Sequence, residues 1–450
     1  METLLDTIWD KLYGKVDDLI VFEYKSNDHQ VKFSESQIDV DTFWHNHACD
    51  VFVAKDGKTT ATRITAGNDE QTKANIASLF KILGKIGPNQ LYKGIADGSY
   101  NYQTIAKTND TKFEKFSEQA SEIVRQAIDQ CEKAGAKRSA GILFFGKSSV
   151  SFRSSAGPKG SNKNTYWEFN IRGLQEDTDS TGFGQNSGAI PSEAEKAIAQ
   201  AGKDAGQFSK LMIGAKMGKP GQYDVIFGPG TGGQVLAALP RMANPFTILF
   251  GQSGLGDRMG EQLCPEFVNI NDEGPRPDSM VATPFDFEGV ATQSTPLIKN
   301  GVLINLIHNT SSAKLMQGKG TANSFMQGIL SPSNHTLVFS PGTMSFDDLC
   351  AMDSDRPTLY TTNSWYLRYT NSIEGIFSVI PRDGLFLVNK KGDMEPVKKL
   401  RISDNLYRIM KNIEGVGSDL HAAKWWDEVN PPVVIPHVRV SDCRASAATK

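Results

Sequence analysis

The stretch that decides the fold of this chain is residues 286–325, with the sequence DFEGVATQSTPLIKNGVLINLIHNTSSAKLMQGKGTANSF. Its centre, Asn300-Gly301, lies between two apolar runs, residues 296–298 and 302–304. Both turn residues adopt left-handed backbone angles at low cost, and strands joined by such a pair form a tight hairpin. The stretch therefore predicts two antiparallel strands with the turn at residues 300–301.

Three polar residues of this stretch are candidates for a substrate cavity. Asp286 and Glu288 stand just before the hairpin, and His308 stands at the end of its second strand. For the two acidic residues, the favoured interpretation is that they cap and brace the loop. For His308, the favoured interpretation is a structural residue with its hydrogen bonds satisfied, or a residue that lines a groove.

A glycine-rich segment precedes this region, residues 228–260, with the sequence GPGTGGQVLAALPRMANPFTILFGQSGLGDRMG. It follows a short apolar strand at residues 225–227. Thr231 and Gln234 have the spacing of a capping box, which predicts that a helix begins there. Pro240 is expected to end or kink that helix, and residues 247–250 are predicted to form the next strand.

The glycines also fit a dinucleotide-binding pattern, because Gly228, Gly230 and Gly233 have the spacing G-x-G-x-x-G. The ribose of a dinucleotide needs a carboxylate about 20 residues further on, where this chain has Gly251-Gln252. We therefore favour a turn that needs positive φ angles over a nucleotide site.

Short motifs that follow complete the pattern: WYLR at 365–368, PRDG at 381–384, PVK at 396–398 and GVGSDL at 415–420. With the hairpin region, they make the chain resemble the TldD/PmbA (TldD/TldE) family of peptidase-related proteins. The resemblance implies an α+β fold of two domains. Residues 213–223, with three glycines and a proline and no apolar periodicity, predict the boundary between them. The first, residues 1–215, is expected to be mixed α/β. The second, residues 220–450, is expected to be mainly antiparallel β.

The same resemblance implies that one type of subunit in the family carries the catalytic metal and the other does not. In the catalytic subunits of the family, the helix after the glycine turn carries H-E-x-x-x-H, which binds a metal. Here Ala237, Ala238 and Met242 occupy those positions, and none of them can ligate a metal or take a proton. The late ligand cysteine of the family has no convincing counterpart either, since Cys443 lies in a different context.

The chain is therefore expected to hold no cofactor and no catalytic residue of its own. Zinc is expected in a catalytic sister subunit. The implied function is that of a TldE/PmbA-like subunit of a zinc metalloprotease complex, which shapes a cavity for unfolded peptides. Its partner is a TldD-like subunit or a second copy, in an obligate dimer or larger assembly. The alternative is a metal-independent enzyme, or a protein that binds peptides or small molecules, on the same fold.

Two arginines and a histidine pair are further candidates. Arg368 and Arg382 have guanidinium groups suited to a carboxylate or a peptide C-terminus, although ion pairs with Asp383 or Glu374 are the favoured interpretation. His45, His47 and Cys49 alternate along a predicted strand and share one face, as ligands of zinc or copper would. The favoured interpretation is a half-buried strand face with incidental histidines.

Composition excludes several classes of function. The 450 residues carry a net charge of −3, which indicates neither a nucleic-acid nor a membrane partner. Five scattered cysteines without a C-x-x-C pair indicate reduced thiols and a cytoplasmic location.

Hydrophobic periodicity predicts helices and strands along the rest of the chain. Residues 175–189, rich in small polar residues, are expected to form an exposed loop. Helices are predicted at 68–86, 110–134, 192–212 and 403–413, and strands at 19–24, 48–54, 140–145, 150–153 and 165–171.

Overall fold

The computed structural model describes residues 3–177, 179–426 and 428–448. Its α-helices are α1 (Leu4–Leu12), α2 (Asp69–Leu83), α3 (Phe113–Ala134), α4 (Glu195–Leu211), α5 (Pro229–Leu236), α6 (Ala238–Met242), α7 (Pro245–Leu249), α8 (Thr310–Leu315), α9 (Phe346–Ala351) and α10 (Leu406–Lys411). Single turns of 3₁₀-helix lie at Pro191–Glu193 and Gly256–Arg258.

The strands belong to an N-terminal group and a C-terminal group. The first comprises β1 (Asp18–Ser34), β2 (Gln37–Lys55), β3 (Lys58–Thr65), β4 (Arg138–Ser154), β5 (Lys159–Leu174) and β6 (Thr181–Gly188). The second comprises β7 (Lys216–Met217), β8 (Gly221–Phe227), β9 (Ile270–Glu273), β10 (Ser294–Lys299), β11 (Val302–Leu303), β12 (Ser324–Gln327), β13 (Ile329–Pro332), β14 (Thr336–Phe339), β15 (Thr358–Asn371), β16 (Ile376–Val388), β17 (Met394–Lys398), β18 (Leu400–Asn405), β19 (Ile413–Val416), β20 (His421–Trp425), β21 (Val429–Ile435) and β22 (Val438–Ala447).

The first group forms one antiparallel sheet in the order β3-β2-β1-β4-β5-β6. Helix α3 presents an apolar stripe to this sheet, including Phe116, Ile123 and Ala127, and packs there with α4. The prediction of helix 110–134 rested on that stripe and is confirmed. The stripe is buried because apolar residues at helical spacing remove most surface from water on one face.

The second group forms two larger sheets and a small hairpin. One sheet has the order β11-β10-β9-β14-β21-β20, and the other has β15-β8-β22-β18-β16-β17-β7, with β19 beside β22. Most pairs are antiparallel, but β14–β21, β15–β8 and β17–β7 are parallel. The largest apolar cluster of the described residues, from Tyr223 to Ala445, lies among these strands. The mixed α+β class is confirmed, whereas the boundary between residues 215 and 220 stays a prediction.

The hairpin at Asn300-Gly301 is confirmed. Ile298 pairs with Leu303 and Lys299 with Val302, and the two turn residues have φ angles of +49° and +77°. Glycine is also required for space, because a Cβ atom on Gly301 would lie 2.1 Å from the carbonyl oxygen of Cys264. The turn is thus fixed by backbone conformation and by packing together.

Four local predictions were wrong. Residues 181–188 are not an exposed loop but the edge strand β6, whose first four residues are buried. Residues 247–250 lie largely in a helix, because Asn244 caps it and Pro245 occupies its first turn. Helix 403–413 is shortened to Leu406–Lys411, since the residues before it continue β18.

The predicted capping box is the fourth error. Helix α5 begins earlier, with Gly228 as its N-cap and Pro229 in the first turn. The hydroxyl group of Thr231 lies 2.9 Å from that of Thr361, and the side chain of Gln234 bonds Ser364. Both side chains therefore tie α5 to β15 instead of capping the helix.

All five cysteines are buried free thiols. Within the described ranges, no helix is both long and apolar enough to cross a membrane.

Candidate functional site

The glycines after β8 let helix α5 approach the backbone of β15. A Cβ atom on Gly228 would lie 2.9 Å from the carbonyl oxygen of Thr361, and one on Gly230 would lie 2.6 Å from that of Thr362. Contacts this short leave no room for a side chain. The prediction of a positive-φ turn is wrong, because Gly228 has a φ of −70° and Gly230 and Gly233 are not among the residues with positive φ. Close packing of helix against strand accounts for the glycine pattern instead, without a nucleotide.

Helix α5 ends at Leu236 and α6 begins at Ala238, and a cavity of about 800 Å³ opens beside this junction. Ala237 and Ala238 line the cavity, as do Pro240 and Arg241 of α6. Met242 does not line it; this side chain is 4% exposed and belongs to the apolar core. Two of the three positions that correspond to H-E-x-x-x-H therefore face the cavity, and the third lies beneath it.

The charged residues that line this cavity in the described ranges are Arg241, Arg368 and Glu428. Arg368 stands after a register shift between Trp365 and Arg368 in the β15–β16 pairing, where Tyr366 has a φ angle of +56°. A bulge of this kind redirects the side chains that follow it. The Arg368 guanidinium lies 5.6 Å from the centroid of the Tyr366 ring, and its Nη1 donates to the Leu367 carbonyl oxygen at 2.8 Å.

One wall of the cavity is the hairpin of β12 and β13. Phe325 and Gln327 of β12 and Ser331 and Pro332 of β13 line it. These strands pair with each other in a two-stranded sheet. The outer edges of such a sheet offer backbone N–H and C=O groups to an extended chain.

Arg382 lies elsewhere, beside a second cavity of about 170 Å³. Its guanidinium group stacks over Trp365, 5.3 Å from the ring centroid. The favoured ion pair with Asp383 is wrong, because Asp383 Oδ1 instead accepts from Arg172 Nε at 2.6 Å and from the Thr181 hydroxyl at 2.7 Å. Among the described residues, Arg368 forms no ion pair with Glu374 either. The structure therefore separates the two arginines.

Asp286 and Glu288 are buried together and brace the loop before the hairpin. Asp286 accepts hydrogen bonds from the backbone N–H groups of Glu288, Val290 and Ser324 at 2.9–3.0 Å. Glu288 Oε2 accepts from the Ala96 N–H at 3.1 Å, which ties the loop to the N-terminal half of the chain. Neither side chain lines the main cavity.

Burial raises the pKa of both carboxyl groups, and the nearby Glu288 carboxyl raises that of Asp286 further. The titratable groups facing them, Tyr92, Tyr100 and Tyr102, also have raised pKa values and stay neutral. A carboxyl group whose pKa is raised by folding binds more protons in the native state than in the unfolded state. Its contribution to stability is complete below the unfolded pKa of about 4.3 and is lost as the pH rises through the folded pKa.

We expect Glu288→Gln to flatten the pH dependence of stability. The amide has the shape of the protonated carboxyl group and does not ionise, so the variant should lose less of its melting temperature than wild type between pH 5 and pH 8. Thermal melts at several pH values measure this difference. Glu122→Gln, at an exposed position on α3, is the control. Parallel pH profiles for Glu288→Gln and wild type would contradict the expectation.

The remaining candidates have other partners. His308 is buried, its Nδ1 lies 3.2 Å from the Ser312 hydroxyl, and burial lowers its pKa. His45 Nδ1 lies 2.7 Å from Asn27 Oδ1, and His47 Nε2 lies 2.8 Å from Glu23 Oε1. Burial raises the pKa of the Cys49 thiol to about 12, so it stays protonated. These contacts favour the interpretation of incidental histidines over a metal site.

A different group of potential ligands was missed in the sequence. Asp419, His421 and His437 place one ligand atom each within 4.8 Å of one another, and they form the single such group of three found in the described residues. The available signal was Asp-x-His at 419–421, but His437 lies 16 residues further on, and only the pairing of β20 with β21 places it nearby. None of the three lines the main cavity.

Comparison with known proteins identifies the family of this chain. Residues 220–447, slightly more than half of it, match the model of the PmbA/TldA metallopeptidase C-terminal domain. The chain belongs to the PmbA/TldD family. Its membership agrees with the resemblance found in the hairpin region and in the motifs that follow.

Relatives in this family match over part of their length. A metalloprotease of Methanothermobacter thermautotrophicus is 32% identical over 227 residues, which are 49% of this chain and 48% of that protein. Metalloprotease PmbA of Escherichia coli O157:H7 is 26% identical over 36% of this chain and 34% of its own. The chain thus spans about half the length, or less, of these curated relatives.

The fold is that of a solved family member. TldE from Thermococcus kodakarensis superimposes with a TM-score of 0.83 over 98% of this chain and 100% of its own, at 16% sequence identity. At this identity, the likeness establishes the fold.

Proposed function

We propose that this chain is the subunit of a TldD/TldE-type peptidase complex that carries no catalytic metal at the α5–α6 junction and shapes the cavity for an unfolded peptide. The observation that carries the proposal is the cavity of about 800 Å³ whose wall includes Ala237 and Ala238. A metal-activated water needs ligands such as histidine and a nearby base, and methyl groups supply neither. The expected zinc belongs to a catalytic sister subunit.

The other cavity walls suit an extended peptide. The β12–β13 hairpin offers a strand edge, and Phe325, which is 39% exposed, offers an apolar contact. Arg241 and Arg368 place positive charge in the same space, and in the part of the chain that the structure describes neither forms an ion pair with a carboxylate. Guanidinium groups without such a partner suit the C-terminal carboxylate or acidic side chains of a bound peptide.

Exposed apolar residues near the cavity support the proposal that another subunit binds there. Trp426 lines the cavity and is 67% exposed, and Phe250, which is 63% exposed, lines an adjoining pocket together with Asn244 and Thr247 of the same cavity. Large apolar side chains grouped on a surface are typical of interaction sites. We propose that a TldD-like subunit or a second copy of this chain covers them, so that the peptide is enclosed between subunits.

We expect Arg368→Gln to weaken the binding of an unstructured peptide with a free C-terminal carboxylate by about tenfold, the usual value of a charged hydrogen bond. Fluorescence anisotropy with a labelled peptide measures the affinity. Amidation of the peptide should weaken wild-type binding by a similar factor and have little effect on the variant.

Arg125→Gln is the matched control, because Arg125 lies on the outer face of α3 with its side chain 62% exposed. Equal affinities of wild type and Arg368→Gln for the free-acid peptide would contradict the role of this arginine. Cleavage of the peptide by the purified chain alone, retained through a second purification route, would contradict the subunit model. It would favour the alternative of a metal-independent enzyme on the same fold.

A further inference from the structure

The side chains of Asp419, His421 and His437 converge on one point. Asp419 Oδ2 lies 2.7 Å from His421 Nε2 and 2.6 Å from His437 Nδ1. The two imidazole rings stand at 89° to each other with centroids 5.8 Å apart. Asp419 Oδ2 therefore lies between two imidazole nitrogens, and the three atoms are within 4.8 Å of one another. Atoms this close can contact a single transition-metal ion together.

The backbone fixes this arrangement through three separate connections. The Gly417 N–H donates to the His437 carbonyl oxygen at 2.8 Å, and the Ser418 N–H donates to the Met344 carbonyl oxygen at 2.8 Å. His421 pairs with Ile435 across β20 and β21. Because Asp419 and both histidines are held by ordered strands and turns, little conformational entropy remains to be lost when an ion binds.

A second layer of contacts supports His437. Its Nε2 lies 3.2 Å from the Tyr360 hydroxyl group, and its ring packs edge-on against Phe346 at 5.2 Å. A histidine that ligates a metal through one ring nitrogen usually donates its other N–H to an oxygen, which fixes the ring orientation and tautomer. With Nδ1 at the centre, Nε2–H is free to donate to the Tyr360 oxygen.

One side of the group is open to solvent. The side chains of His421 and Asp419 are 45% and 38% exposed, whereas that of His437 is 12% exposed. An ion can therefore enter, and water can complete its coordination next to three protein ligands. Sites with three protein ligands and an open position are typical of zinc in its catalytic and exchangeable forms.

We propose that Asp419, His421 and His437 form a binding site for a divalent transition-metal ion, with Zn²⁺ as the ion that best matches two imidazoles and a carboxylate. The site is separate from Ala237, Ala238 and Met242 and does not depend on the peptide-binding role. The proposal revises the expectation that the chain holds no metal. That expectation rested only on the α5 helix, Cys443 and the group of His45, His47 and Cys49.

The test uses the full chain after removal of metals with a chelator. Titration calorimetry with ZnCl₂ should give one equivalent per chain, and CoCl₂ should produce visible absorption bands of a bound ion. His421→Gln should weaken zinc binding by about 100-fold or more, since it removes a ligand. Tyr360→Phe should weaken it by about tenfold, because loss of an outer contact typically costs 10–100-fold.

Two further variants keep the test decisive. Asp419→Asn has nearly the same shape as aspartate and should also abolish the cobalt spectrum, while circular dichroism verifies that the chain is folded. The double variant His45→Gln/His47→Gln is the matched control and should bind zinc as wild type does. No binding by wild type, or binding that survives both His421→Gln and Asp419→Asn, would overturn the proposal. Loss of binding in the control would do so as well. Peptide affinity in metal-free buffer tests the proposed function independently.

Discussion

Replacing Arg439 with leucine is expected to lower the free energy of unfolding by about 3–5 kcal/mol, because the change leaves a buried carboxylate without its main cation. The Arg439 and Asp224 side chains are both fully buried, with Nη2 3.0 Å from Asp224 Oδ2. The same guanidinium group donates to Glu414 Oε1 and to the Leu349 carbonyl oxygen, each at 2.6 Å. It thereby joins β22 to β8, to β19 and to α9.

Arg356 provides a matched control for this variant. Its Nε donates to the other oxygen of the same Asp224 at 2.8 Å, but its side chain is 37% exposed. Water and salt screen an ion pair of that exposure, so Arg356→Leu should cost about 1 kcal/mol or less. Unfolding in guanidinium chloride, followed by tryptophan fluorescence, measures the free energy of unfolding of both variants. Equal shifts of the unfolding midpoint would show that burial of Arg439 does not govern the effect.

A methyl group at Gly184 is expected to destabilise the chain by about 3 kcal/mol, the upper part of the usual range for overpacking a core. A Cβ atom there would lie 1.9 Å from the carbonyl oxygen of Ala201 and 2.6 Å from its carbonyl carbon. These are backbone atoms of α4, which cannot rotate away as a side chain can. Gly184→Ala must therefore push α4 off the edge strand β6.

Gly87→Ala is the control for Gly184→Ala. No atom lies within 4 Å of a Cβ placed on Gly87, so the change should alter the free energy of unfolding by about 0.5 kcal/mol or less. Differential scanning fluorimetry of both variants gives the comparison. A melting temperature of Gly184→Ala equal to that of the control would mean that α4 is not in close contact with β6.

The features that sequence predicted correctly are those encoded within a few residues. The Asn300-Gly301 turn needs only two residues that tolerate positive φ, and α3 needs only its apolar stripe. Residues 181–188 show the opposite case. Their glycines are typical of a loop, yet Gly184 serves in an edge strand because a helix lies directly on it. That requirement comes from a partner in space and leaves no local pattern.

In the candidate site too, some features were predictable from the sequence and others were not. Ala237 and Ala238 could be placed from the resemblance, because the glycine turn fixes their positions in the family pattern. The direction of Arg368 depends on a bulge in the β15–β16 pairing, and the partner of Asp383 is Arg172, 211 residues away. Distances of that kind along the chain are set by the sheet topology. Motif spacing alone did not predict these two contacts. For Asp383, the spacing favoured Arg382 as the partner, which is wrong.

The contacts of Asp383 have a consequence for how independent the two halves of the chain are. One carboxylate accepts from Arg172 and Thr181 of the N-terminal half, and it also accepts from Asn363 and Trp365 of β15 at 3.4 Å and 3.3 Å. Trp365 immediately precedes the bulge that directs Arg368 to the cavity. If residues 220–447 were separated from the rest, this carboxylate would lose its cation and Trp365 would lose a fixed neighbour. In this chain, residues 220–447 are therefore not self-contained as a binding unit, although they are recognisable on their own in sequence, and the N-terminal half of the molecule helps to set the shape of their cavity.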